Sequence, residues 1–148
     1  MTNYLKNRGL EIGDWRFAFS LQSPISNLFL FVTLLALYLL TLAQTPVLGD
    51  PSEYTFVANM LGIAHPPGYA FITLLGKLFQ TIVPFGNVAW RMHLLAAVSA
   101  TVGAWFVFGI IRTLGRDLPG FANLTGLFGA LVVGTAVNHW QHAIHANP

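Results

Sequence analysis

From Ile25 to Ala43 the chain carries no charged residue. Nineteen such positions as a helix are long enough to cross the hydrocarbon core of a bilayer. The rest of the composition agrees with that constraint. Of 148 residues, 55% are hydrophobic and 8% charged, where a soluble domain carries about 25% charged. The sequence therefore reads as all-α integral membrane protein, a single membrane domain over residues 1–148, with the lipid bilayer as its first partner. A formal net charge of +2 with no basic run gives no reason to expect nucleic acid. No cysteine is present, so neither a disulfide nor a thiolate metal site can form.

Residues 1–24 form the most charged segment: Lys6, Arg8 and Arg16 outweigh Glu11 and Asp14. Leu10, Trp15, Phe17 and Phe19 would suit an interfacial helix there. A cleaved signal peptide is the rival reading of 25–43. Its leader would be long, and the apolar run exceeds the usual ~7–15 residues of such a signal, so a retained first span is preferred. The lysine and arginine bias then puts the N-terminus in the cytoplasm and Gln44 onward outside.

Between Asp14 and Asp117 the acidic residues are Asp50 and Glu53 alone, and both fall in the turn-rich stretch Gly49–Gly68. Asp50-Pro51-Ser52-Glu53 has the form of a helix start, with Asp50 as cap, Pro51 at the first helical position and Glu53 at the capping-box position. This predicts a helix over 51–61, stopped by Gly62 and lying on the outer membrane surface. Its two faces would be Ser52, Thr55, Asn59 and Tyr54, Val57, Ala58, Leu61. Pro66-Pro67-Gly68 ends that unit. A second helix, 67–83, is apolar but short and interrupted by Gly76, Lys77 and Gln80. A lysine at mid-bilayer is costly, so this helix is expected to be interfacial or re-entrant. Together they make 44–91 one outer loop. A second span over 92–111 then delivers Arg112 and Arg116 to the cytoplasm, and a third over 121–137 returns the chain outside for 138–148. Gly126, Gly129 and Gly134 in the third span allow close helix approach.

Asp50 and Glu53 are the candidate catalytic residues. Capping explains them as well, and the two roles are compatible, because a capped carboxylate is held rigidly enough to act as a general base. His65 is a candidate substrate-binding residue, or an exposed side chain on a rigid Pro-Pro turn. Lys77 and Arg91 are candidate phosphate partners, with snorkelling along apolar surface as the alternative for each. His139, His142 and His145 are spaced by three. On one helix the outer pair lie about 240° apart, so all three cannot converge unless the helix breaks. No metal ligand set is assigned, and a divalent cation is left open as a cofactor.

The order of these features is familiar. A span is followed by Gly-Asp-x-x-Glu, then Leu-Gly-Ile-Ala-His-Pro-Pro-Gly-Tyr, Leu-Leu-Gly-Lys-Leu-Phe and Pro-Phe-Gly-Asn-Val-Ala-Trp-Arg before the next span. Over residues 25–147 this resembles the N-terminal part of a large multi-spanning membrane family, long labelled only as a domain of unknown function. That family is related to protein O-mannosyltransferases of the GT-C glycosyltransferase class. The resemblance implies the N-terminal fragment of a GT-C-like fold with about three transmembrane helices and two membrane-parallel helices in the first outer loop. It also implies transfer of a sugar from a polyprenyl-phosphate donor to a hydroxyl of a protein or glycan acceptor, on the outer face of what would be a bacterial inner membrane. Asp50 matches the family's catalytic base, Glu53 its second acidic position and His65 its His-Pro-Pro histidine. Relatives carry a glutamate shortly after the position of Trp140, where Asn147 stands here. The sequence taken alone is expected to be inactive without further spans. A non-catalytic multi-spanning subunit or transporter fragment is the alternative.

Overall fold

The computed structural model describes residues 24–146, apart from 116 and 118. The expected N-terminal interfacial helix, Arg116 and Asn147 lie outside the described residues. The described residues form six helices: α1 (Pro24–Thr41), α2 (Asp50–Met60), α3 (Ala70–Ile82), α4 (Val88–Leu114), α5 (Pro119–Thr135) and α6 (Val137–Ile144).

Helix α4 is the spine. Asn87 caps it, accepting a hydrogen bond from Trp90 N at 2.8 Å, so the helix starts four residues before the expected Met92. Arg91 accordingly lies inside its first turn. At 27 residues it is roughly 40 Å long. It is the one described helix that is long and apolar enough to cross a membrane by itself. Ile25–Thr41 and Ala70–Ile82 are shorter apolar helices, and Phe121–Thr135 with Val137–Ile144 passes only as a pair bent by 64°. The bend falls at Ala136, whose extended ψ of 136° interrupts the helix. The segment 138–148, expected only as an outer tail, is thus largely a short helix.

The bundle is closed by small residues. On α1 the buried positions are Leu30, Leu34 and Tyr38, a stripe one helical turn apart that Leu42 continues just past the helix end. On α4, Ala97, Thr101, Ala104 and Phe108 are buried. The α5 glycines face these helices as expected. A Cβ at Gly134 would stand 2.7 Å from Leu34, at Gly129 2.4 Å from Ile111, and at Gly126 3.0 Å from Phe108. The Tyr38 hydroxyl donates to Gly134 O at 2.7 Å. Outward, by contrast, Leu28, Phe29 and Leu40 on α1 and Phe121, Leu124 and Phe128 on α5 are exposed. An apolar exterior around a tightly packed interior is what lipid as solvent requires.

Polar side chains tie the helices end to end. Asn87 Nδ2 donates to Gln44 O at 2.8 Å at one end of the α1–α4 pair. Trp105 Nε1 donates to Asn27 Oδ1 at 3.1 Å towards the other. His93, fully buried on α4, accepts at Nδ1 from Ala146 N at 2.9 Å and donates from Nε2 to Thr45 O at 3.2 Å. That pattern fixes the neutral Nε2–H tautomer.

Helices α2 and α3 run antiparallel beside α4, Gly76 lying against Ala58 and Met92 and Gln80 Nε2 donating to Thr55 O at 3.3 Å. Helix α3 turns its polar residues inward and its apolar ones outward. Thr73, Gly76 and Gln80 are buried, while Phe71, Leu74, Leu78 and Ile82 are 55–74% exposed. At 13 residues it is roughly 20 Å long, too short to span.

Candidate functional site

The acidic loop becomes a site through its entry into α2. Gly49 takes φ 92°, a left-handed conformation suited to glycine, and precedes Asp50 as the helix cap. Pro51 follows in the first turn and Ser52 N bonds Gly49 O at 3.1 Å. Ser52 Oγ donates to Val47 O at 2.5 Å, securing the loop behind the helix. Asp50 is therefore the first helical residue, and no side chain caps α2. The capping box expected from Asp-Pro-x-Glu is not formed. Glu53 is engaged elsewhere, and Asp50 is exposed at the positive end of the helix.

Glu53 holds His65 by two bonds. Its Oε1 accepts from His65 N at 2.7 Å and its Oε2 pairs with His65 Nδ1 at 2.9 Å. These bonds hold the Glu53 carboxyl below its usual range, and the Glu53 bond raises His65 above its usual value. The imidazole is partly walled by rings. Tyr54 and Tyr69 each lie 5.8 Å from it, and they meet each other edge-on at 5.2 Å. Burial pushes the Tyr54 hydroxyl up to about 12, with Tyr69 adding to the effect. The turn that delivers His65 uses Leu61 and Tyr69 at positive φ, 53° and 45°. Leu61, expected to share a helix face with Tyr54, Val57 and Ala58, instead takes the left-handed C-cap and is 56% exposed. Gly62 N closes the helix on Val57 O at 2.9 Å.

Asp50, Glu53 and His65 thus come together. Each offers a ligand atom, and these atoms all lie within 4.8 Å of one another. A divalent cation fits such a donor set by chemistry, although it would have to replace the Glu53–His65 bonds already made.

Lys77 and Arg91 serve backbone carbonyls. Lys77 Nζ donates to Asn59 O at 2.6 Å, at the far end of α2, roughly 14 Å along the helix axis from Asp50. Arg91 donates from Nη1 to Gln80 O at 2.8 Å and from Nε to Phe85 O at 3.0 Å. An ammonium has three donors and a guanidinium five, so both keep capacity for an anion. Of the three C-terminal histidines, His139 donates to Ala100 O at 3.3 Å and His145 Nδ1 donates to Gln141 O at 2.5 Å. Sequence reasoning missed His93. One histidine within a 20-residue apolar run is itself a signal, because such a group needs buried partners.

The geometry falls inside a recognised segment. Residues 50–148 match the family model described as "Protein O-mannosyl-transferase TMEM260 N-terminal domain". The chain belongs to this family. It is 34% identical over 134 residues to the mouse protein O-mannosyl-transferase TMEM260, covering 90% of the chain and 18% of the relative. It is 32% identical over 81 residues to protein O-mannosyl-transferase tmem260 of Dictyostelium discoideum, covering 53% of the chain and 10% of that protein. No solved structure matches. The sequence thus spans about a fifth or less of the TMEM260 proteins it matches, and the relation to O-mannosyltransferases read from the Asp50–Arg91 motifs stands.

Proposed function

We propose that this TMEM260-type segment supplies the catalytic outer loop of a membrane glycosyltransferase. The whole protein would transfer a sugar, mannose by its relatives' names, from a polyprenyl-phosphate donor to a hydroxyl of an acceptor protein. The observation that carries this reading is the convergence of Asp50, Glu53 and His65 within 4.8 Å at the start of a helix inside the family's segment. Asp50 is the exposed carboxylate of the three that no partner engages in a capping bond. It takes the proton of the acceptor hydroxyl, whose oxygen forms a bond to the anomeric carbon. The bond from that carbon to the lipid phosphate breaks with inversion, and the phosphate leaves with the electron pair.

In this mechanism Glu53 works through His65. Its bond to the ring Nδ1 favours the imidazolium, which lies beside Asp50 and stabilises charge developing on the leaving phosphate, and its bond to the His65 backbone holds the ring in place. Arg91 and Lys77 are the further cations of the loop. The apolar outward face of α3 supports an interfacial placement, with α1, α4 and the bent α5–α6 pair as three spans. With α3 not crossing, the lysine and arginine bias puts the N-terminus in the cytoplasm and 44–91 outside. Because the curated relatives come from mouse and Dictyostelium, the proposal keeps the outer face and leaves the bacterial setting aside.

The test is sugar transfer from a polyprenyl-phosphate donor by the full-length protein in membranes. Asp50→Asn is expected to keep the protein level and lower transfer at least about 10²-fold, the low end for loss of a general base. Undiminished transfer by this variant would remove Asp50 from the chemistry and favour the non-catalytic subunit.

A further inference from the structure

Asp50 borders more than the Glu53–His65 cluster. With Val47 and Leu48 it forms one wall of an open cleft of about 310 Å³, whose other wall is Gln141, His142 and His145. Helix α6 brings Gln141 and His142 to this wall, and its end at Ile144 brings His145, which is extended (φ −134°, ψ 151°). The helix breaks there, yet the three histidines do not converge, because His139 lines the neighbouring cavity instead.

The chemistry of the lining is specific. Asp50 offers a carboxylate that accepts. His145 uses Nδ1–H on Gln141 O, so in the neutral ring its Nε2 accepts as well. The Gln141 side chain both donates and accepts. A group with hydroxyls, each donor and acceptor at once, complements that set. A cation does not. The ligand atoms that converge within 4.8 Å in the described residues are those of Asp50, Glu53 and His65, and neither His142 nor His145 joins them. A lipid tail does not fit either, because the apolar space lies next door. That cavity, of about 270 Å³, is lined by Leu75, Met92 and Leu95 among others, and His142 borders both spaces. The cleft is at the small end of ligand pockets, which run from ~300 to 1,000 Å³. That size suits one sugar ring or one amino-acid side chain.

We infer that this cleft is a subsite for the hydroxyl-bearing group of a substrate, with Gln141 and His145 as hydrogen-bond partners and Asp50 shared with the reaction. The inference deepens the proposed function and rests on its reading of Asp50. Two sources carry the same chemistry: the sugar of the donor, and a serine or threonine of the acceptor.

Binding to purified full-length protein, measured without turnover, separates them. The probes are an alkyl mannoside and an uncharged peptide rich in serine and threonine. Gln141→Leu and His145→Leu are each expected to weaken one probe about fivefold to tenfold, the scale of one lost hydrogen bond. His145→Gln, which retains an acceptor, should recover most of the loss. Weakened mannoside binding identifies the donor sugar, and weakened peptide binding the acceptor. The cleft proposal is overturned if neither probe binds the wild type, or if both bind the two leucine variants as well as the wild type. It is also overturned if His145→Gln is as weak as His145→Leu, since the loss would then be one of folding. Transfer by Asp50→Asn reports separately on the base. Intact transfer in that variant with weakened probe binding in the leucine variants would sink the base and keep the cleft.

Discussion

The bundle of α1, α4, α5 and α6 and the α2–α3 unit are held by different forces. In the bundle, glycine and alanine let helices touch, and the few polar bonds sit at helix ends or, like Tyr38 to Gly134, deep in a contact. In the α2–α3 unit, side chains reach backbone atoms of neighbouring elements: Lys77 to Asn59, Gln80 to Thr55, Arg91 to Gln80 and Phe85, Glu53 to His65. Shape specifies the first region, and directed hydrogen bonds specify the second. Without a hydrophobic drive between helices in lipid, close packing is what remains for the bundle. In the α2–α3 unit, polar bonds are placed one by one.

The sharpest break of this comparison would be a failure of topology. Leu48 and Leu114 are 96% and 80% exposed, beyond one end of α1 and at the far end of α4. In a cysteine-free background, Leu48→Cys should react with an impermeant thiol reagent added outside and Leu114→Cys should not. Labelling of both would mean that α4 does not cross.

Next in size is packing. Gly134→Leu inserts a side chain where even a Cβ would lie 2.7 Å from Leu34, an overpacking that costs about 1–3 kcal/mol. Thermal stability and protein level of the full-length protein should fall, and transfer should fall with them in proportion. Loss of transfer at undiminished level would show that the bundle also shapes the site directly.

Lys77→Met tests the other region. It removes the ammonium from the C-terminal carbonyls of α2, a contact worth about 0.3–1 kcal/mol, while keeping the stem that packs on the helix. Faster proteolysis of the 61–69 turn with an unchanged bundle is the expected result. A stability loss as large as that of Gly134→Leu would erase the distinction between the two regions.

The smallest effect is a titration. His65 is raised above its ordinary value, so its part of the Glu53 bond is complete below the unfolded histidine value and is lost as pH rises through the folded one. Glu53 is lowered, so its part is complete above the unfolded carboxylate value and is lost as pH falls through the folded one. With ordinary values of about 4.3 and 6.5, the pair is fully formed between them. The His65 ring signal should titrate above the ordinary value and return towards it in Glu53→Gln. An unshifted His65 in the wild type would dissolve the pair.

Much of this was legible in the sequence, because periodicity and apolar length are local. The α2 and α3 segments and the glycine face of α5 follow from spacing, whereas the inward turn of Thr73 and Gln80 on α3 is not read from it. What spacing could not supply was the partner of each polar group. Asp-Pro-x-Glu reads as a capping box, yet the φ of 92° at Gly49 places Asp50 inside the helix, and Glu53 finds His65 twelve positions on. Lys77 and Arg91 read as cations facing an anion, and each first meets carbonyls that only the antiparallel α2–α3 pairing brings near. The bend at Ala136 carries no proline or charge to announce it, and it is what brings α6 back towards Asp50.

The ties at the two ends of the α1–α4 pair act as a gauge. Asn87 pins Gln44 at one end and Trp105 pins Asn27 towards the other. The pins are separated on either strand of the pair by roughly 25 Å of helix rise, a little under the ~30 Å hydrocarbon core of a bilayer. Two antiparallel rods fastened at both ends cannot slide past one another. The position of Gln44 along the pair is thereby set by the length of α4, and Asp50, six residues further along, is held at a fixed distance from the end of that helix.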